Sequence, residues 1–298
     1  MPGTLHVVAT PIGNLEDITR RAAQVLAEVG TIAAEDTRRT GILLRHLGVS
    51  GANVIALHDH NEAVATERLI GQLKAGEDVA LVSDAGVPLI ADPGFPLIQR
   101  CWSERLPVVP IPGASALTAL LSVCPVPASQ PRFVGFLPAK AQARQNALED
   151  ACRRSSATLF LEAPHRVRET LGAIAALAPE RSLFVGREMT KRFESYYRGC
   201  AGELAAELEA QDALRGEFTL LLSSLDAAPT EESLDEQRLL AALAEELPPA
   251  KVARVMTRMF GGLRADHYAN AKATNTNAKA NTTPTRQQAA VERSRCKR

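Results

Sequence analysis

Four times within the first 115 residues, an apolar run stops at a turn of small, polar or acidic residues. The runs are Leu5 to Thr10, Ile32 to Ala34, Val79 to Val82 and Val108 to Ile111, and their turns are Thr10 to Leu15, Glu35 to Arg38, Ser83 to Pro88 and Pro112 to Ser115. Amphipathic stretches lie between the runs, with Thr19 placed to cap the first and Ala22, Val25, Leu26 and Val29 spaced along one face of it. Short strands alternating with helices predict βα units and a largely parallel sheet. Parallel strands would gather all four turns at one sheet edge, where open α/β sheets offer backbone donors to a ligand.

The densest of these turns is Leu81 to Gly94, LVSDAGVPLIADPG. Asp84 can face a ligand there, and Gly86 allows main chain to approach it closely. An isolated Asp-Gly turn is ordinary loop punctuation. Two acidic turns around Pro88-Leu89-Ile90-Ala91 favour a functional loop. Small side chains and backbone amides suit an uncharged or zwitterionic ligand better than a triphosphate, which calls for a basic lining.

Further along, helices are expected at Ile42 to Leu47, Glu62 to Ala75 and Pro96 to Glu104, a strand at Val54 to Leu57, and an apolar helix ending near Val123. CPVPASQP, from Cys124 to Pro131, has three prolines and no periodicity and reads as a linker. A second α/β segment follows, with strands at Arg132 to Leu137, Thr158 to Glu162, Leu183 to Glu188 and Glu217 to Leu222. The turn at Arg192-Phe193-Glu194 allows antiparallel pairs in this second sheet. The domain reading is therefore 1–124 and 131–226 as two α/β domains, 232–262 as a small helical segment split at Pro248-Pro249, and 265–298 as a disordered basic tail. That last stretch contains no Leu, Ile, Phe, Met or Trp and cannot bury enough apolar surface to offset its ordering entropy.

Composition narrows the class. With 298 residues, 46% of them hydrophobic, the chain can pack a sizeable core. Its 34 basic and 34 acidic residues cancel, which gives no global signature of nucleic-acid binding, although a local patch can exist within a neutral total. Cys101, Cys124, Cys152, Cys200 and Cys296 are scattered without a CxxC pair and read as reduced thiols. Met1 to Asp17 has no basic region ahead of a long apolar one, and no run is long enough to span a bilayer, so a cytoplasmic location is expected.

Several chemistries lack their motifs. There is no GxGxxG and no GxxxxGK[ST], which argues against dinucleotide and P-loop folds. His58-Asp59-His60 lacks further ligands at telling spacing, so no metal is expected. Ser115 sits in PGAS and not in GxSxG, which disfavours a hydrolase nucleophile.

Seven segments in order, VATPIGNLEDIT, EDTR, SDAGVPLIADPG, IPGASAL, RFVGFLP, EAPHRV and REMTK, resemble the ribosomal small subunit RNA methyltransferase I family. The resemblance covers about residues 5 to 224 and ends after Gly261. It implies a two-domain tetrapyrrole methylase-like α/β fold with the cofactor in the cleft between domains. It also implies methyl transfer from S-adenosylmethionine to a cytidine 2′-hydroxyl of 16S rRNA, and a homodimer. On this resemblance Asp84, Ala85 and Gly86 embrace the methionine part of the cofactor, and Ser115 and Ala116 contact it after the fourth strand. Leu161, Glu162, Phe218 and Thr219 approach the adenine, and Pro11, Ile12 and Gly13 form the first turn at the cleft. A methylase of small molecules such as tetrapyrroles, or an RNA-binding module without catalysis, is the alternative on the same fold.

A ribose hydroxyl must lose its proton during transfer, so a base within reach is needed. Glu35, Asp36 and His165 are the candidates. Glu35-Asp36 with Arg38 reads equally well as an ion pair capping a helix, and His165 as a positioning residue. Arg38, Arg166, Arg168, Lys191 and Arg192 are candidates for RNA phosphates, with a solvated basic face as the plainer reading.

Overall fold

The computed structural model describes residues 1–58, 60–210, 215–225, 239–244, 247–260, 267–269 and 271–272. Two five-stranded sheets and their helices fall within one compact unit, Met1–Asp226. The first sheet is wholly parallel. Its strands are β1 (Leu5–Val8), β2 (Thr31–Ala34), β3 (Asn53–Ala56), β4 (Val79–Val82) and β5 (Val108–Ile111), in the order β3-β2-β4-β1-β5.

Helices cover both faces of this sheet. Along β4, Val79 and Leu81 join one core with α3 (Glu62–Lys74) and α4 (Phe95–Ser103), while Ala80 and Val82 join the other with α1 (Arg20–Glu28) and α2 (Thr37–His46). Alternate residues of one strand thus enter two cores, which is why VALV is apolar without a break and fully buried. Thr19 caps α1 as expected, its hydroxyl accepting from the Ala22 amide at 3.1 Å.

The helix expected to begin at Ile42 begins at Thr37. Its first turn, Thr37-Arg38-Arg39-Thr40, carries no apolar period, and the start is set by the Asp36 side chain accepting from the Arg38 amide at 2.8 Å.

The second sheet is mixed. Its strands are β6 (Arg132–Phe136), β7 (Thr158–Glu162), β8 (Ser182–Arg187), β9 (Ser195–Cys200) and β10 (Phe218–Leu222), in the order β6-β7-β10-β8-β9. β8 and β9 form an antiparallel hairpin across the turn at Arg192-Phe193-Glu194. On one face α6 (Ala141–Arg153), α7 (Val167–Leu177) and α8 (Ala201–Ala210) pack around Phe160, Val185 and Leu220.

The other face receives a helix from the first half of the chain. Leu120 of α5 (Ala116–Ser122) packs with Leu159, Phe184 and Leu221, and Leu117 and Leu121 lie against the same cluster. β10 is therefore buried along its whole length, and α5 joins the two sheets. Gly186 gives way at this seam, since a Cβ there would meet Leu120 Cδ1 at 2.8 Å and Met189 Sδ at 2.7 Å.

The second unit, Ala227–Arg298, includes helical residues 239–244 and α9 (Pro249–Phe260). Val252, Met256 and Ala271 form its core with Leu239, Leu240, Leu243 and Leu247 around them. Of the stretch read as a disordered tail, 267–269 and 271–272 are helical with Ala271 buried, and the rest lies outside the described residues. Among the described residues no helix is long and apolar enough to cross a membrane.

Candidate active site

All four turns singled out above follow carboxyl ends of parallel strands in the first sheet, and all four line one cavity of about 410 Å3 with the second sheet opposite. That volume lies within the roughly 300–1,000 Å3 of small-molecule sites. The loop after β4 supplies Asp84, Ala85 and Gly86 to its wall, the start of α5 supplies Ser115 and Ala116, and the loop after β1 supplies Ile12. Across from them stand Leu161 and Glu162 of β7, and Phe218 and Thr219 of β10. The rim also carries Phe133, Phe136 and Met189.

The loops are locked to one another by hydrogen bonds. Thr10 and Gly86 form an antiparallel bridge, and the Thr10 hydroxyl donates to the Ser83 carbonyl at 3.1 Å. Gly86 has φ +84°, a region that costs glycine nothing and that a β-branched residue avoids. The Asp36 amide donates to Asp84 Oδ1 at 3.0 Å, Arg39 Nε lies 3.4 Å from Asp84 Oδ2, and the Asp84 amide donates to Glu35 Oε2 at 3.4 Å.

Of the base candidates, only Glu35 lines the cavity. Asp36 is the N-cap of α2, and Arg38 binds both its oxygens, Nε to Oδ1 at 3.0 Å and Nη2 to Oδ2 at 2.7 Å. Those hydrogen bonds hold its carboxyl down at about pKa 2, which makes it a weak base. His165 is exposed and outside the cavity lining, next to Pro164. Pro11 is buried and outside the cavity lining. Gly13 lies against the second sheet's turn, where a Cβ would meet Lys191 Cγ at 2.4 Å.

The proposed phosphate cations differ in their surroundings. Arg166 is only 15% exposed, and its guanidinium is 2.6 Å from Glu162 Oε1. Glu162, fully buried, also accepts from the Thr170 hydroxyl at 2.7 Å and the Ala163 amide at 2.9 Å. This triad fixes the start of α7 beneath the cavity. Lys191 Nζ sits 3.0 Å from both Glu188 and Glu217, whose charges favour its charged form against the cost of partial burial. Arg38, Arg168 and Arg192 are exposed; Arg168 meets Glu209 at 3.0 Å, and Arg192 stands 5.6 Å over the Phe193 ring.

Asp92 lines the cavity and was not among the base candidates. Its motif, the second acidic turn, was visible in the sequence, but its burial was not. Among the described residues no group of three or more His, Cys, Asp or Glu is placed to hold a metal ion, and Asp59 of the His58-Asp59-His60 segment lies outside them.

A parallel and a mixed sheet sharing a cavity at the carboxyl ends of the parallel strands, together with a family match over residues 4–205, place the chain in the tetrapyrrole methylase class. The family described as Tetrapyrrole (Corrin/Porphyrin) Methylases matches residues 4–205. A cobalamin biosynthetic enzyme, cobalt precorrin-4 methyltransferase, superposes with TM-score 0.57 at 13% identity, covering 75% of this chain and 96% of its own, which speaks for the fold alone.

Within that class the sequence is much nearer to one group. Ribosomal RNA small subunit methyltransferase I of Escherichia coli O157:H7 is 41% identical over 261 residues, 87% of this chain and 91% of that protein. The protein of the same name from Xylella fastidiosa (strain Temecula1) is 41% identical over 269 residues, 90% of this chain and 98% of that one. The chain belongs to the ribosomal RNA small subunit methyltransferase I family.

Proposed function

We propose that this protein transfers a methyl group from S-adenosylmethionine to the 2′-hydroxyl of a cytidine in the 16S rRNA of the small ribosomal subunit. The observation that carries the reading is the 410 Å3 cavity, with the small-residue loop Asp84-Ala85-Gly86 on one wall and Leu161 and Phe218 on the other, in a chain 41% identical to a ribosomal RNA methyltransferase over 87% of its length.

The residues present fit the cofactor. Gly86, with no side chain, opens backbone to the cavity, and a Cβ there would come within 3.4 Å of Ile12 Cγ2. Ser115 and the α5 amino end offer polar contacts, and Phe218 with Leu161 offers an apolar face for a purine. The cofactor supplies an activated methyl on a sulfonium, so the protein's task is chiefly alignment. Orientation of two reactants can supply on the order of 7–11 kcal/mol of the barrier. α5 serves that end by being clamped on the second sheet through Leu120, which fixes the distance between the two walls.

Arg38, Arg168 and Arg192 are exposed cations suited to phosphate contacts. A homodimer is part of the proposal. Phe95 and Trp102, 66% and 72% exposed and seven residues apart on α4, present one apolar stripe that supports it. The cytoplasm, where small subunits assemble, is the proposed location.

Calorimetric titration with S-adenosylmethionine and with its demethylated product tests the cofactor reading, which predicts binding of both. Absence of heat with either ligand would overturn it.

A further inference from the structure

Five acidic side chains line the cavity: Glu35, Asp84, Asp92, Glu162 and Glu217. Four of them are held by backbone amides or cations within the protein. Asp84 binds the Asp36 amide and Arg39, Glu35 the Asp84 amide, Glu162 Arg166 and Thr170, and Glu217 Lys191. Asp92 Oδ2 is buried and has no hydrogen-bond partner.

The loop that carries Asp92 is held in a conformation that a plain connection would not need. Leu89 and Ala91 have φ of 72° and 73°, and Gly94 has φ of 118°. Non-glycine residues in this region persist only where the surroundings impose them, and they cluster at functional sites. Here the Gly94 amide donates to Glu62 Oε1 at 2.7 Å, and the Gly94 Cα packs so closely on Leu81 and Leu89 that a Cβ would meet each at 3.1 Å. The loop is thus pinned on both sides of a carboxylate that faces the cavity.

We propose that Asp92 is the general base of the methyl transfer, accepting the proton of the acceptor hydroxyl. This assignment rests on the reaction given above. The Asp92 carboxylate takes the hydroxyl proton while the hydroxyl oxygen forms its bond to the methyl carbon. The carbon–sulfur bond breaks with its electron pair going to sulfur. The products are the methyl ether, the demethylated thioether cofactor and protonated Asp92, which returns its proton to water.

The electrostatics agree with this role. Burial pushes the Asp92 carboxyl up to about pKa 6; the Ser83 hydroxyl pulls the other way, and the charges of Glu35 and Asp84 add to the rise. Arg39 is the nearby cation on that wall and is directed at Asp84, while Glu62 lies behind the loop. On the opposite wall Glu162 is paired with Arg166, and Glu217 shares Lys191 with Glu188. A base near pKa 6 is ionised at neutral pH yet binds a proton more strongly than an ordinary aspartate, a useful compromise for proton transfer.

Single-turnover transfer to small ribosomal subunits, followed across pH about 5 to 8, reads this base directly. Wild-type rate should rise with pH through a limb near 6. Asp92→Asn should lose about 10²- to 10⁴-fold in rate and lose the limb, with calorimetric cofactor affinity within about twofold of wild type. Asp92→Glu should recover part of the rate. In cofactor-free protein, carboxyl-carbon NMR should show a resonance titrating near pH 6 that is missing in Asp92→Asn. Should Asp92→Asn fail to fold, Ser83→Ala decides, because loss of that hydroxyl should move limb and resonance to higher pH. A wild-type rate in Asp92→Asn, cofactor affinity falling in step with rate, or an unmoved limb in Ser83→Ala would overturn the assignment. If wild-type protein methylates no subunit, the reaction reading fails; an Asp92 resonance titrating near its ordinary value would then refute the base separately.

Discussion

Thr10 and Gly86 exchange two backbone hydrogen bonds, Thr10 N to Gly86 O at 2.8 Å and Gly86 N to Thr10 O at 3.0 Å. The bridge ties the loop after β1 to the loop after β4, and its Gly86 half lines the cavity. Gly86 holds its half of the bridge at φ +84°. Gly86→Val forces a β-branched side chain into that region and toward Ile12. Cofactor affinity should fall at least tenfold, read by calorimetry, and the melting temperature should fall with it. Unchanged affinity would show that this backbone does not approach the cofactor.

The Glu162–Arg166 pair predicts a stability effect and no RNA effect. Removing one partner of a buried pair leaves an uncompensated charge and typically costs about 3–5 kcal/mol. Arg166→Met should therefore lower the melting temperature by several degrees, and adding Glu162→Gln should restore part of it. The salt dependence of RNA binding should stay as in wild type. A shallower salt dependence with unchanged melting would return Arg166 to the phosphate-binding cations.

Asp92 predicts an inverted pH dependence of stability. Its folded pKa of about 6 lies above the ordinary 3.8, so the folded state holds the proton more tightly than the unfolded chain. Its contribution is most favourable below about pH 4 and is lost as pH rises through about 6. Asp92→Asn should then melt a few degrees higher than wild type at pH 7.5, a gain that vanishes by about pH 4. Equal melting at both pH values would mean that burial of this carboxylate costs nothing.

Arg38, Arg168 and Arg192 predict an electrostatic signature. Replacing any one that meets phosphate should weaken RNA binding about equally across sequences. It should also reduce the slope of log affinity against log salt by about 0.7–0.9. Fluorescence anisotropy over a salt series measures this. An unchanged slope for all three would move the RNA surface elsewhere.

Much of this architecture was legible because parallel βα units write their strands as unbroken apolar runs and their turns as glycine, proline and acidic residues. That pattern marked the loops at Thr10, Glu35, Asp84 and Ser115, and the parallel register then placed them on one edge. What depended on side-chain neighbours was not legible. Arg166 read as a surface cation, although Glu162 four residues earlier was the available sign of an ion pair. Asp36 read as a base or a cap, and only the bidentate Arg38 contact decides for the cap. Asp92 read as the second acidic turn of a functional loop and not as a base, because burial of its Oδ2 depends on how the loop folds against its surroundings. Nothing in the α5 segment said that Leu120 would bury against a sheet formed later in the chain.

The central claim is methyl transfer to small-subunit RNA. It is tested most directly by incubating the protein with methyl-labelled S-adenosylmethionine and small ribosomal subunits from cells lacking this enzyme, then digesting the 16S rRNA to nucleosides for mass spectrometry. Label is expected in 2′-O-methylcytidine from a single site, appearing about 10²- to 10⁴-fold more slowly when Asp92→Asn replaces the wild-type protein. Label on a base atom, on another nucleoside, or only on a porphyrin-like acceptor supplied in parallel would contradict it.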